Sequence, residues 1–257
     1  MAEALATPLV PDDYLDLVDP LRSPRYLRAR VVDVTPETAD ASTVTLQPGR
    51  GWLGHRPGQY IRIGVDIDGV RLWRAYSVTS GPRGDGNISI TVKALTGGVV
   101  SAHLQESLRP GQIVHMEQAD GAFTWNGGAE PVLFVTGGSG ITPVMGMLRS
   151  HDLSGSDVVL LHSAPAPADV IFAAELAEEI PGVRVVVRHT DTEGMLSPAM
   201  LDELMTAGDV VWQGHGSLPG DDGWISLHLG DQLEATLQPP DDADTSDELE
   251  QAVDNAE

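Results

Sequence analysis

The chain has 257 residues, 38 acidic and 15 basic side chains and a formal net charge of -23. That surplus excludes binding of DNA, RNA or an anionic membrane through a general basic surface, and the absence of cysteine excludes a disulfide framework, a thiol nucleophile and a cysteine-ligated iron–sulfur cluster within this chain. Length and a 41% hydrophobic content suit a soluble protein of about two domains with a sizeable core.

Residues 1–25 are expected to form a helical arm: Pro11-Asp12-Asp13 is a helix start, and Tyr14, Leu15, Leu17 and Val18 form an apolar stripe that packs on the body. No basic region precedes an apolar core there, so no targeting segment is read and the expected location is the cytoplasm. The most apolar window, residues 131–148, is broken by Gly137, Gly138, Gly140, Pro143 and Gly146. It predicts a strand, a turn and a helix, not an integral membrane segment.

From residue 26 to about 125 the pattern is strands and turns. Alternating runs occupy residues 28–34, 43–47, 59–65, 70–78, 87–93 and 113–117, with Asp68-Gly69 marking a hairpin and one short helix over 100–108. Short strands at close spacing, broken by Gly and Pro, predict a small antiparallel barrel over 26–128. After residue 131 the period changes. Continuous apolar strands at 132–135, 158–162, 183–187 and 210–212 alternate with helices predicted at 143–149, at 169–179 and from Ser197-Pro198. That alternation predicts a parallel α/β domain over 129–216. Arg188 is the last basic residue: from His189 to Glu257 there are 17 acids and no Lys or Arg. Residues 217–257 are expected to form a divergent acidic tail, disordered because the final 17 residues bury too little apolar surface to offset chain entropy.

Three constellations carry chemistry. In Arg74-Ala75-Tyr76-Ser77, strand alternation puts Arg74 and Tyr76 on one side. An arginine forks onto phosphate, a tyrosine ring stacks on a flat heterocycle and a serine hydroxyl reaches a ring nitrogen. The bland reading is a solvated arginine on a barrel edge. Thr91-Val92-Lys93 is followed by Gly97-Gly98-Val99-Val100-Ser101 leading into a helix, where small residues and free N–H groups make an anion site. The alternative is a plain turn with Ser101 as the N-cap. Thr136-Gly137-Gly138-Ser139-Gly140-Ile141-Thr142-Pro143 lies between a buried strand and a helix, so backbone can approach a pyrophosphate closely. It lacks the lysine of a P-loop, and Pro143 stands where the dinucleotide fingerprint has its last glycine.

Taken in this order, with Pro57-Gly-Gln-Tyr60 ahead and Gly121-Ala-Phe123 before the second domain, these motifs resemble the ferredoxin–NADP reductase superfamily over about residues 26–212. Residues 8–80 further resemble actinobacterial reductases that serve desaturases and other oxygen-activating enzymes. The resemblance implies an antiparallel FAD-binding β-barrel followed by a parallel-sheet nucleotide-binding domain. It implies hydride transfer from NADPH or NADH to FAD, and single electrons onward to a separate iron–sulfur carrier or an oxygenase or desaturase. By the same resemblance, Arg74 holds the FAD pyrophosphate, Tyr76 stacks on the isoalloxazine and Ser77 lies near its N5. Ala75 belongs to the same motif. Thr91, Val92 and Lys93 serve the ribose and phosphate region, and Gly98, Val99, Val100 and Ser101 the pyrophosphate. Gly137, Gly138, Gly140, Ile141, Thr142 and Pro143 form the nicotinamide nucleotide site, with Thr142 and Ser77 the catalytic pair. The family often marks the 2′-phosphate of NADPH with a serine and an arginine. Here Ser163 fits, and Arg188, one strand later, substitutes for the missing arginine, a slight lean to NADPH. The competing reading of Arg188 is an ion pair with a nearby acid.

The chain departs from the family in three places. Gln213-Gly-His-Gly216 stands where relatives carry Cys-Gly-Pro. The family's last helix, strand and terminal aromatic are not found, and no four-cysteine iron–sulfur domain follows. The alternative function is therefore a flavin-binding module or truncated reductase without hydride transfer. The eight histidines show no metal-ligand spacing, and none, His162, His189 and His215 included, is assigned a chemical role.

Overall fold

The computed structural model describes residues 19–22, 26–196, 211–217, 224–229 and 233–238. They fall into two units, Met1–Asn126 with Met145–His151, and Gly127–Val144 with Asp152–Glu257. The predicted arm lies outside the described residues except for a 3-10 turn, Pro20–Arg22.

The first unit is built on strands β1 (Arg28–Pro36), β2 (Ala41–Pro48), β3 (Tyr60–Ile67), β4 (Val70–Ser77), β5 (Ile88–Lys93) and β6 (Ile113–Met116), with helix α1 (Val99–Ser107) between the last two. Their order is β4-β3-β6-β1-β2-β5, every pair antiparallel. The two edges meet: Val78 bridges Ile90, and the Thr79 N–H donates to the Ser89 carbonyl at 2.8 Å. The sheet therefore closes into a barrel and leaves no open edge to aggregate. Alternation fills its interior with Val31, Leu46, Ile61, Ile63, Ile90 and Val92, each at most 1% exposed, and Leu104 of α1 joins the same core. The Asp68-Gly69 hairpin is confirmed, with φ of 51° and 79°, the doubly left-handed turn that matches strand twist.

The second unit carries β7 (Val132–Gly137), a 3-10 turn (Gly138–Gly140), the start of α2 (Ile141–Leu148, whose residues from Met145 on belong to the first unit), β8 (Val158–Ala164), α3 (Ala173–Leu176), β9 (Val183–His189), α4 (Thr190–Glu193) and strands β10 (Val211–Ser217), β11 (Trp224–Leu229) and β12 (Leu233–Gln238). The order is β12-β11-β10-β7-β8-β9. Strands β10, β7, β8 and β9 are parallel, and β11 and β12 add antiparallel. The chain steps outward from β7 to β9, then returns to the far side of β7. That reversal is a switch point, and ligands of open α/β sheets bind outside the carboxyl ends of the strands there.

Two expectations are corrected. The helix predicted over 169–179 is a 3-10 turn, Pro167–Asp169, and the single turn α3. Val170, Ile171 and Phe172 are all at most 4% exposed, and an amphipathic helix cannot bury three successive side chains; Phe172 turns left-handed instead, at φ 63°. The tail expected from residue 217 contains β11 and β12. Their period-2 pattern, with Ile225, Leu227 and Leu229 and then Leu233, Ala235 and Leu237, is masked by the acidic composition of the surrounding C-terminal quarter. The helix predicted from Ser197 and the end of the tail, residues 241–257, lie outside the described residues.

Within the first unit, Met145–His151 lies against the stretch that follows β4. A Cβ on Gly146 would strike the Val78 carbonyl and one on Gly81 the Arg149 carbonyl, while Arg149 Nη1 donates to the Thr79 carbonyl at 2.7 Å. Gly146→Ala should therefore invert the usual helix preference. Propensity alone predicts a gain of about 1 kcal/mol; the clash predicts a net loss of about 2 kcal/mol or more. Urea unfolding measures the sign, and a stabilised variant contradicts the close approach.

Candidate functional site

In β4, register pairs Arg74 with Ile63 and Tyr76 with Ile61, while Ala75 and Ser77 pair with Arg62 and Tyr60 on the opposite face. The predicted alternation is thus observed. Arg74 is exposed and its Nη1 donates to the Trp73 carbonyl at 2.8 Å, so the guanidinium stands at the surface of the strand. Tyr76 is half-buried and packs on the barrel core. Two residues past Ser77, the Thr79 side chain is fully buried and its Oγ1 has no hydrogen-bond partner. A buried hydroxyl without a partner is costly, and a ligand or water would satisfy it. Ser80 Oγ accepts from the Ser89 N–H at 3.0 Å, and the Ser80 carbonyl lies 3.2 Å from His55 Nε2. A carbonyl only accepts, so Nε2 carries the proton. Burial pushes the His55 pKa down, and the bond to Ser80 offsets part of that shift.

The barrel closure sets the end of β4 beside β5, which carries the second motif. Thr91 is buried and its hydroxyl is shared with Thr43 Oγ1 at 2.8 Å. The Val92 side chain fills the core, leaving only its backbone for a ligand. Lys93 Nζ lies 3.5 Å from Asp40. Gly98, not Ser101, is the N-cap of α1. The Ser101 hydroxyl instead accepts from the Leu95 N–H at 3.2 Å and donates to the Gly98 carbonyl at 3.3 Å, and a Cβ on Gly98 would lie 2.5 Å from that hydroxyl. The hydroxyl thus braces the loop, while helix geometry leaves the first-turn N–H groups of Val99, Val100 and Ser101 without intrahelical acceptors. These amides and the helix dipole suit an anion. A guanidinium, an aromatic ring and a helix N-terminus within one barrel fit the groups that a flavin dinucleotide requires.

In the second unit, β7 delivers Gly137 to the switch point, and Gly138 continues at φ 50° into the 3-10 turn ending at Gly140. The Thr142 hydroxyl donates to the Ser139 carbonyl at 2.8 Å. Ile141, Thr142 and Pro143 are buried and hold the turn. Across the carboxyl ends of the strands, Gly137 pairs with Ser163 and Ser163 with Arg188. The Ser163 hydroxyl donates to the Thr136 carbonyl at 3.3 Å. Arg188 donates through Nε to the Gly194 carbonyl at 2.7 Å and through Nη2 to the Glu193 carbonyl, with Nη1 4.0 Å from the Glu193 carboxylate. The expected pairing with an acid is therefore present, and Arg188 also keeps its place beside Ser163.

Sequence reasoning missed Thr79, His55 and the role of His162. His162 is fully buried with Nδ1 2.9 Å from Thr136 Oγ1, tying β7 to β8 immediately before the glycine turn. A polar residue at the end of the apolar run 158–161 was the available signal, because buried polar groups find partners. Thr79 could have been found by extending the β4 alternation two residues past Ser77; nothing local marks His55. Among the described residues no cluster of side chains is arranged to hold a metal, and no helix is long and apolar enough to cross a membrane.

Residues 29–125 match the oxidoreductase FAD-binding domain. A winged-helix domain model of large helicase-related proteins matches residues 194–230, but that stretch holds five acids and no Lys or Arg, the opposite of a nucleic-acid surface. The chain is 47% identical over 206 residues to an NADPH oxidoreductase of Mycobacterium tuberculosis, covering 76% of this chain and 54% of that protein. It is 38% identical over 151 residues to the glycine betaine monooxygenase reductase subunit of Pseudomonas aeruginosa, covering 57% and 41%. The chain thus spans about half the length of these relatives. Its fold is similar to that of a ferredoxin NADP+ reductase from Neisseria gonorrhoeae with bound FAD and NADP, with a TM-score of 0.64 at 22% identity over 75% of this chain and 86% of that one.

The half-buried His55 makes a pH prediction. Its lowered folded pKa means the unfolded chain takes up the proton first, so the stability this ring contributes is present above about pH 6.5 and is lost as pH falls below it toward the folded value. Urea unfolding between pH 8 and pH 5 should show a steeper acid loss in the wild type than in His55→Gln; equal slopes would contradict the burial effect.

Proposed function

Because the chain belongs to the ferredoxin–NADP reductase superfamily, we propose that it is a flavin-dependent reductase that takes a hydride from NADPH and passes single electrons to a separate iron–sulfur carrier, oxygenase or desaturase. The observation that carries this reading is the pairing of an Arg-x-Tyr-Ser strand and a helix N-terminus on one barrel with a glycine turn at the switch point of a parallel sheet. FAD, when bound, supplies the hydride acceptor and the one-electron donor. This chain's residues bind and orient. Arg74 and the first-turn amides of α1 hold the pyrophosphate. Lys93 and the backbone of Thr91 and Val92 serve the ribose and phosphate region. Tyr76 covers the ring system, and Ser77 offers its hydroxyl to the ring edge. In the second unit Gly137, Gly138 and Gly140 let backbone approach the nucleotide pyrophosphate, and Thr142 keeps the turn in shape through Ser139.

The NADPH preference rests on Ser163 beside Arg188 and on the relative named an NADPH oxidoreductase. The choice of partner rests on the relative named a monooxygenase reductase subunit. A second reading, a flavin-binding module without hydride transfer, is favoured by Gln213-Gly-His-Gly216 on β10, the strand beside β7, where the family resemblance implies a Cys-Gly-Pro turn.

Arg74→Ala and Tyr76→Ala should each weaken FAD binding at least about tenfold, the effect of losing one charge-assisted or stacked contact. Flavin content on purification and FAD titration of apoprotein measure it. Undiminished flavin content in both variants would contradict the assignment.

A further inference from the structure

Arg188 is held by its own following turn. Nε and Nη2 are satisfied by the carbonyls of Gly194 and Glu193, and the Arg188 side chain is 15% exposed. Those two carbonyls carry no net charge, so they orient the guanidinium without neutralising it. The Glu193 carboxylate acts differently. Its Oε2 accepts from the His189 N–H at 2.6 Å, which keeps the group in place, and its Oε1 stands 4.0 Å from Arg188 Nη1. That distance exceeds a hydrogen bond but is well within Coulomb range. Arg188 in turn faces Ser163, whose hydroxyl lies at the carboxyl end of β8 next to Gly137. A preorganised cation and a hydroxyl at the edge of a nucleotide sheet, with a fixed carboxylate drawing on the same cation, describe a phosphate subsite with a built-in competitor.

We propose that Glu193 is a specificity-determining residue: its carboxylate partly neutralises Arg188 and thereby limits the preference of this site for nucleotides bearing a 2′-phosphate over those with a free 2′-hydroxyl. The proposal rests on the NADPH reading above. A 2′-phosphate brings up to two negative charges to Arg188 and must work against the fixed carboxylate; a 2′-hydroxyl is indifferent to it. Glu193 thus tunes discrimination without touching the nicotinamide end.

The test uses the full chain and two probes, adenosine 2′,5′-bisphosphate and AMP, with affinities from calorimetry. In Glu193→Gln the amide oxygen still accepts from the His189 N–H, so the turn is retained while the charge is lost. Binding of the bisphosphate should tighten about two- to fivefold, the range for removing a partly exposed charge interaction, with AMP unchanged and the gain shrinking at high salt. Asp191→Asn, in the same turn, controls for net charge. Arg188→Ala should weaken the bisphosphate about tenfold or more and leave AMP unchanged. Equal gains from Glu193→Gln and Asp191→Asn would overturn the proposal, as would no gain in Glu193→Gln when Arg188→Ala still loses affinity; in both cases the NADPH reading survives. Unchanged bisphosphate binding in Arg188→Ala would overturn both.

Discussion

The backbone contact between residues 78–81 and Met145–His151 is the constraint on which the downstream end of β4, and with it the proposed flavin site, depends. β4 leaves the barrel at Ser77, and the next residues must do two things at once. They bridge β5 to close the sheet, and they lie against carbonyls that admit no side chain at Gly81 or Gly146. Arg149 caps the Thr79 carbonyl, His55 meets the Ser80 carbonyl, and Ser80 caps the Ser89 N–H. The strand carrying Arg74, Tyr76 and Ser77 is therefore anchored at its downstream end by backbone geometry rather than by its own side chains. That is the support a binding constellation needs to hold its geometry.

On the proposed reading an acidic protein binds polyanionic nucleotides, which poses an electrostatic problem that the chain would meet locally. The long-range field of a -23 chain is screened beyond about 8–10 Å at physiological salt, so what matters is what lies within that radius. At the proposed barrel site the positive elements are Arg74, Lys93 and the first-turn amides of α1. At the sheet they are the amides of the glycine turn and Arg188. Most of the acidic excess is set apart in sequence, after residue 188. Where an acid does come close to a proposed phosphate position, at Glu193 and at Asp40, it faces a single cation and so adjusts affinity without abolishing it.

The barrel and the parallel sheet were legible because both rest on periodicity: period-2 alternation over β1 to β6 and continuous apolar runs in β7 to β9. Glycine placement marked the two turns proposed to bind anions, since few other residues allow such backbone approach. What was not legible depends on tertiary partners. The hydroxyl of Ser101 faces back to Leu95 because Gly98 takes the cap, and sequence spacing alone suits either role. The helix at 169–179 failed because Val170, Ile171 and Phe172 must all be buried. β11 and β12 are hidden because the acidic composition of the C-terminal quarter outweighs the alternation beneath it. Thr79, His55 and the Thr136–His162 bond carry no motif; each acquires meaning only from the residue the fold sets against it.

The most direct test of the central claim is the visible absorption spectrum of the purified chain under anaerobic conditions, before and after NADPH and then NADH. The account predicts a flavin spectrum that bleaches, and bleaches at lower concentrations of NADPH than of NADH. A flavin spectrum that neither nucleotide bleaches would contradict reductase activity and favour the module reading, and the absence of flavin even after added FAD would contradict the barrel site itself.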